Sequence, residues 1–260
     1  MTKLSQNAKQ IRNALPPDGT MVGNISLMRK LGMKPKEFFS AKAELDEQGV
    51  IVFGKGKGGS IGIAKPSAKT AAKKYQGIKD EFELYDPLKR FFDEYWGPNY
   101  KTPDLYVSKI TGPPKGHKRK SGVWSRPDLS ILTVSRYDFV PERVLEVTTI
   151  EAKRFPDIGP RAVFETASHS KYGHQAYLAL EWPEKEDVDD SPDEDVQEVI
   201  KEARRFGIGL IQMRKDAGGE WDVDIIIDPV RREPDPADCS GFIEQVFKDK
   251  HTQIRHAIGR

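Results

Sequence analysis

Between Leu105 and Lys153 the chain offers three apolar, β-branched segments in a row with no helical pattern between them. Leu105–Ile110, Pro127–Val134 and Arg143–Lys153 are therefore predicted to be consecutive strands. An aromatic-rich helix is expected ahead of them over Phe82–Trp96, with Leu88, Phe91, Phe92 and Tyr95 as its buried stripe. Pro87 must sit in the first turn of that helix or break it. After the strands the pattern gives helices over Val163–Trp182 and Val196–Phe206, strands over Ile208–Met213 and Val223–Asp228, and a C-terminal helix over Phe242–Ile254. This alternation assigns residues 80–260 to the α/β class.

The N-terminal stretch reads differently. Ala8, Ile11 and Leu15 recur at helical spacing behind Ser5, a suitable N-cap, and Pro16-Pro17-Asp18-Gly19 stops that helix. Second and third helices are expected over Asn24–Leu31, ended by Gly32, and Pro35–Gln48, ended by Gly49. Val50–Phe53 and Ser60–Ile63 then read as a hairpin whose tip, Gly54-Lys55-Gly56-Lys57-Gly58-Gly59, is rich in glycine and lysine. Three short helices and a basic hairpin resemble the winged helix-turn-helix family over residues 5–65. That resemblance implies a third helix lying in a DNA major groove, with Lys34, Lys36, Ser40 and Lys42 facing DNA. Lys55 and Lys57 would meet phosphate or a minor groove. Some winged helices instead serve protein contacts.

Charge separates the two parts. Residues 1–79 hold 15 Lys/Arg against 5 Asp/Glu, whereas the rest of the chain holds 27 against 35. A basic module joined to an acidic one suggests a polyanion-binding part and a part with another task. The division expected is a winged-helix domain over 1–65, a basic linker over 66–79 and a catalytic domain over 80–260. Glu184–Glu198 carries nine acidic residues and is expected to be a solvated loop. No apolar run reaches membrane-spanning length, Met1–Gln10 lacks the apolar stretch of a signal peptide, and Cys239 is the single cysteine. These features exclude a disulfide framework and a cysteine-based zinc site, and they lead to the expectation of a cytoplasmic protein without a membrane partner.

Two short motifs carry chemistry. Pro127-Asp128 heads one strand, and Glu151-Ala152-Lys153 ends the next, 23 residues beyond Asp128. Side chains alternate along a strand, so Glu151 and Lys153 share a face while Ala152 turns away. If the strands form a hairpin, Asp128 lies beside Glu151, and two such carboxylates are tolerated when a hard cation such as Mg²⁺ bridges them. The Ala152 carbonyl can add a third oxygen. Lys153 would orient the attacking water, help deprotonate it, or stabilise charge on a phosphate.

The motif order, its spacing and the helix–strand–strand–strand–helix–strand succession resemble the PD-(D/E)xK, or restriction-endonuclease-like, nuclease superfamily over residues 80–230. The resemblance implies an αβββαβ core with a mixed sheet and Mg²⁺- or Mn²⁺-dependent hydrolysis of phosphodiester bonds. It also implies a Glu on the first core helix, where Glu83 is the match and Glu81 the weaker rival. A polar residue from the helix after Lys153 is implied as well, with Gln175 the first choice and Lys171 the second. Lys115, Lys118, Arg119, Lys120 and Arg126 lead into Asp128 and are expected to hold a phosphate backbone. Double-stranded DNA is the expected substrate, a homodimer would serve two-strand cutting, and anti-phage restriction is the role the analogy suggests. Two alternatives stay open: a DNA-binding regulator with a degenerate nuclease fold used for dimerisation, and an RNA nuclease.

Overall fold

A computed structural model describes residues 4–54, 59–64, 77–97, 103–112, 126–155, 157–182, 191, 193–215 and 219–260. The first unit contains α1 (Gln6–Ala14), β1 (Val22–Gly23), α2 (Asn24–Leu31), α3 (Pro35–Glu47), β2 (Ile51–Phe53) and β3 (Ser60–Ile63). Ser5 caps α1 as expected, its Oγ accepting the Ala8 amide at 3.2 Å. Gly32 ends α2 in the left-handed conformation, with φ of 61°. The strands form an antiparallel sheet in the order β1-β3-β2. The two residues of β1 gave no strand signal of their own; they extend because they pair with Ser60 and Ile61.

The second unit is built on a six-stranded sheet. A 3-10 turn (Glu81–Leu84) leads into α4 (Tyr85–Phe91), which widens into a π-helical turn over Phe92–Trp96. Pro87 is the third residue of α4, inside the first turn, where its missing N–H costs nothing. Then follow β4 (Leu105–Ile110), β5 (Leu129–Tyr137), β6 (Val140–Lys153), α5 (Pro160–Ser168), β7 (Gln175–Glu181), α6 (Glu194–Phe206), β8 (Gly209–Lys215) and β9 (Trp221–Ile227). Helices α7 (Pro236–Val246) and α8 (His251–Ala257) close the chain. The sheet runs β4-β5-β6-β7-β8-β9. Its β6-β7 and β7-β8 pairs are parallel and the others antiparallel, so this is a mixed α/β architecture.

Two helix expectations need correction. The stretch expected as one helix over Val163–Trp182 is α5, a 3-10 turn at His169–Lys171, and then β7. The run Ala176-Tyr177-Leu178-Ala179-Leu180 is rich in good helix formers, but it is buried on both faces between two parallel neighbours. Parallel strands of that kind lose the alternation that identifies a strand. The C-terminal helix is likewise two helices. The first starts earlier than expected, at Pro236, where Asp235 accepts the amides of Ala237 and Asp238 at 2.9 and 3.0 Å.

Each face of the large sheet is covered. On one side Leu129, Ile131, Ile150, Ala152, Tyr177, Ala179, Ile211 and Ile225 pack in a single apolar cluster with Leu84, Leu88 and Phe92. That cluster continues into Ile11, Leu27 and Phe38 of the first unit. On the other side Leu178, Leu180 and Leu210 pack with Val163 of α5 and Val199 and Ala203 of α6. Leu132, Val134 and Val147 pack with Phe242, Val246 and Ile254 of α7 and α8. Ion pairs from Arg29 to Glu94, at 3.3 Å, and to Glu220, at 3.9 Å, cross the junction of the two units. Among the described residues no helix is long and apolar enough to cross a membrane.

Candidate functional site

Asp128 stands one step before Leu129, which pairs with Ile150, so Asp128 and Glu151 lie at adjoining ends of β5 and β6. The backbone fixes this end of the ladder from both sides. The Asp128 amide donates to the Ile150 carbonyl at 2.9 Å, and the Asp128 carbonyl accepts the amides of Thr111 and Gly112 at 2.8 and 2.9 Å. Asp128 and Glu151 are both 0% exposed. Carboxylates are almost never buried this fully unless something compensates their charge.

Both oxygens of Asp128 have named donors. The Tyr85 hydroxyl, from the first turn of α4, donates to Oδ1 at 2.6 Å. The Ala152 amide donates to Oδ2 at 2.9 Å. Burial pushes the Tyr85 hydroxyl well above its ordinary range, and the charge and hydrogen bond of Asp128 push it further, so Tyr85 is held as a neutral donor. Gly112 makes this approach possible. A Cβ there would lie 2.6 Å from Asp128 Oδ1 and 2.9 Å from the Tyr85 ring.

Glu151 and Lys153 share the opposite side of β6 from Ala152, as strand alternation requires. The Lys153 Nζ donates to Glu151 Oε1 at 2.8 Å, lies 3.3 Å from Glu165 Oε2 and 3.7 Å from Glu81 Oε1, and its side chain is 12% exposed. Burial alone would lower its pKa. The charges of Glu151 and Glu81 outweigh burial and hold the ammonium above the ordinary lysine range, with Asp128 adding to the effect. The site thus gathers the carboxylates of Glu81, Glu151 and Glu165 around one ammonium, with Asp128 adding to the field it feels.

This cluster lies at the carboxyl ends of the parallel strands β6 and β7, between interior strands, and not at the edge of the sheet. That is the common place for a ligand crevice in an open α/β sheet. Among the described residues no group of three or more His, Cys, Asp or Glu side chains is arranged to hold a metal ion. The expected donors are two carboxylates and the Ala152 carbonyl, all hard oxygens of the type Mg²⁺ prefers. Of these donors only Glu151 is among the three carboxylates that meet the Lys153 ammonium, and both Asp128 oxygens accept hydrogen bonds from the protein itself.

Other expected residues fall elsewhere. Glu83 is exposed, and its rival Glu81 is the residue that faces Lys153. Gln175 does not come from a helix. It opens β7 beside Thr148, whose hydroxyl donates to Gln175 Oε1 at 3.4 Å, three strand positions back from Glu151. Lys42 is half-buried and turned inward, its Nζ donating to Asn24 Oδ1 at 3.1 Å and standing 4.9 Å over the Phe53 ring. Lys36 and Ser40 are exposed on α3, and Arg126 is exposed just before Asp128. Lys55, Lys57, Lys115, Lys118, Arg119 and Lys120 lie outside the described residues. Sequence reasoning missed Tyr85, Glu165 and Gly112. Glu165 had a signal: it shares the buried face of α5 with Ala162, Val163 and Thr166, and a lone acid on an apolar helix stripe is a candidate site residue.

No family model, curated protein or solved structure matches this chain.

Proposed function

We propose that the chain is a metal-dependent nuclease of the PD-(D/E)xK type that hydrolyses phosphodiester bonds in DNA, with an N-terminal winged-helix unit that grips the duplex. One observation carries the reading. Asp128, Glu151 and Lys153, separated by up to 25 residues in sequence, meet at the ends of β5 and β6 with both carboxylates fully buried. The order α4, β4-β5-β6, α5, β7 around them supports the same reading.

In this function Asp128, Glu151 and the Ala152 carbonyl would hold Mg²⁺ or Mn²⁺. Such an ion, when bound, supplies Lewis acidity and a water nucleophile of lowered pKa. The protein's own contribution follows from the contacts described. Tyr85 and the Ala152 amide fix the Asp128 carboxylate in one orientation. Glu151, Glu165 and Glu81 hold the Lys153 ammonium in place at the end of β6. An ammonium held at this point is suited to stabilise negative charge growing on a phosphate. Arg126, exposed beside Asp128, is placed to meet the incoming backbone.

The test is cleavage of supercoiled plasmid by purified protein with Mg²⁺, Mn²⁺ or excess chelator. Metal-dependent nicking that Asp128→Asn abolishes is the expected result. A protein that binds duplex DNA and leaves it intact under every metal tested would return the chain to the regulator class. Preferred cleavage of single-stranded RNA would change the substrate.

A further inference from the structure

The chain enters the second unit at residues 77–80, and this connector runs along the candidate site. Glu181, the last residue of β7, is 0% exposed. Its Oε1 accepts the Ile78 amide at 2.8 Å, from 103 residues away in sequence. Its Oε2 accepts the Phe155 amide at 2.8 Å, two positions after Lys153. One buried carboxylate therefore staples the connector to the strand end that carries Glu151 and Lys153.

Two further contacts join the same segments. Arg154 donates to the Lys79 carbonyl at 3.1 Å. Gly77 lies so close to this strand end that a Cβ there would come within 2.5 Å of the Phe155 carbonyl oxygen. One turn on, Glu81 reaches Lys153, so the position of that acid depends on where residues 77–80 are held. The connector is thus held beside the site, and Glu181 accepts one amide from the connector and one from the strand end.

We propose that Glu181 is a positioning residue for cleavage: it sets the connector against the end of β6 so that Glu81 and Lys153 stand correctly relative to one another. The proposal rests on the nuclease reading. A buried carboxylate that accepts two backbone amides is a strong, directional tie, because hydrogen bonds to a charged acceptor are shorter and stronger than neutral ones. Glu181→Gln keeps the shape but sets an amide group against one of the two N–H donors. Gly77→Ala strains the same contact from the connector's side.

The experiment uses the full chain, a duplex oligonucleotide and Mg²⁺, with enzyme in excess so that a single turnover is followed. The rate then reports geometry, and the amplitude reports the fraction of protein that is folded. Both variants should slow the rate about 10- to 100-fold, the usual effect of losing a group that orients site residues, with unchanged amplitude and unchanged duplex affinity without metal. Hydrogen exchange on the metal-free protein gives a second readout. The Ile78 and Phe155 amides should be protected in wild type and lose protection in Glu181→Gln. Wild-type rates in both variants would overturn the proposal, as would reduced amplitude at an unchanged rate. Unprotected Ile78 and Phe155 amides in a wild-type protein that does cut would sink the role of Glu181 alone. A wild-type protein that cuts nothing with any metal would sink the nuclease reading and the role together.

Discussion

The Tyr85 hydroxyl donates to Asp128 Oδ1 at 2.6 Å, joining the first turn of α4 to the start of β5 inside the core. Tyr85→Phe removes that donor and leaves the carboxylate buried. A loss of about 1–3 kcal/mol in unfolding free energy is expected, because a buried charged acceptor loses a hydrogen bond. Urea unfolding of both proteins measures it. Cleavage should also fall, about 10- to 100-fold, because Asp128 is no longer held in one orientation.

Gly112→Ala should do comparable damage by a different route. The new Cβ would meet Asp128 Oδ1 and the Tyr85 ring well inside contact distance. Overpacking of this kind costs about 1–3 kcal/mol. A thermal melt that matches wild type would mean that the 103–112 segment yields without disturbing Asp128.

Lys153→Met should abolish cleavage while leaving duplex binding close to wild type. It should also destabilise the protein, since Glu81, Glu151 and Glu165 lose the ammonium they converge on. Breaking a buried pair by removing one partner costs about 3–5 kcal/mol, and the 12% exposure of Lys153 puts this case toward the lower end. Retained cleavage in a folded Lys153→Met protein would remove Lys153 from the chemistry.

Divalent metal should raise thermal stability by mass action. At 100 times its dissociation constant the ion adds about 2.7 kcal/mol. The gain should vanish in Asp128→Asn, and differential scanning calorimetry with and without Mg²⁺ distinguishes the two cases. An equal gain in both proteins would place the ion elsewhere.

The two lysines of α3 should behave oppositely. Lys36 is exposed, so Lys36→Ala should weaken duplex binding and lower the salt slope by about one unit. Lys42 is tied to Asn24 and stacked over Phe53, and burial lowers its pKa against the opposing charges of Asp224 and Asp46. Lys42→Met should therefore cost stability and leave the salt slope unchanged. A salt titration of duplex binding by both variants decides.

The shared face of Glu151 and Lys153 was legible because strand alternation depends on sequence alone, whereas the place of Asp128 beside them needed the antiparallel β5–β6 register. The Glu81–Glu83 choice turned on a detail that composition does not carry. Residues 81–84 form a 3-10 turn before α4 begins, and a helix with three residues per turn aims its side chains differently from an α-helix. Gln175 was misplaced because β7 is rich in Ala and Leu, whose helical preference is overridden by pairing with β6 and β8. Tyr85 lies outside the stripe of Leu88, Phe91, Phe92 and Tyr95 expected for that helix. Only the fold reveals that its ring serves the core and its hydroxyl serves Asp128.

The apolar cluster that runs from Ile11, Leu27 and Phe38 through Phe92 to Ile225 crosses the junction between the two units without a break. Units that share one core do not swing independently as domains on a flexible tether do. For a nuclease of the kind proposed, that rigidity acts as a ruler. Whatever sequence α3 engages, the site at the ends of β5 and β6 stands at one set distance from it, and cuts mapped along a duplex should fall at a single offset from the bound site.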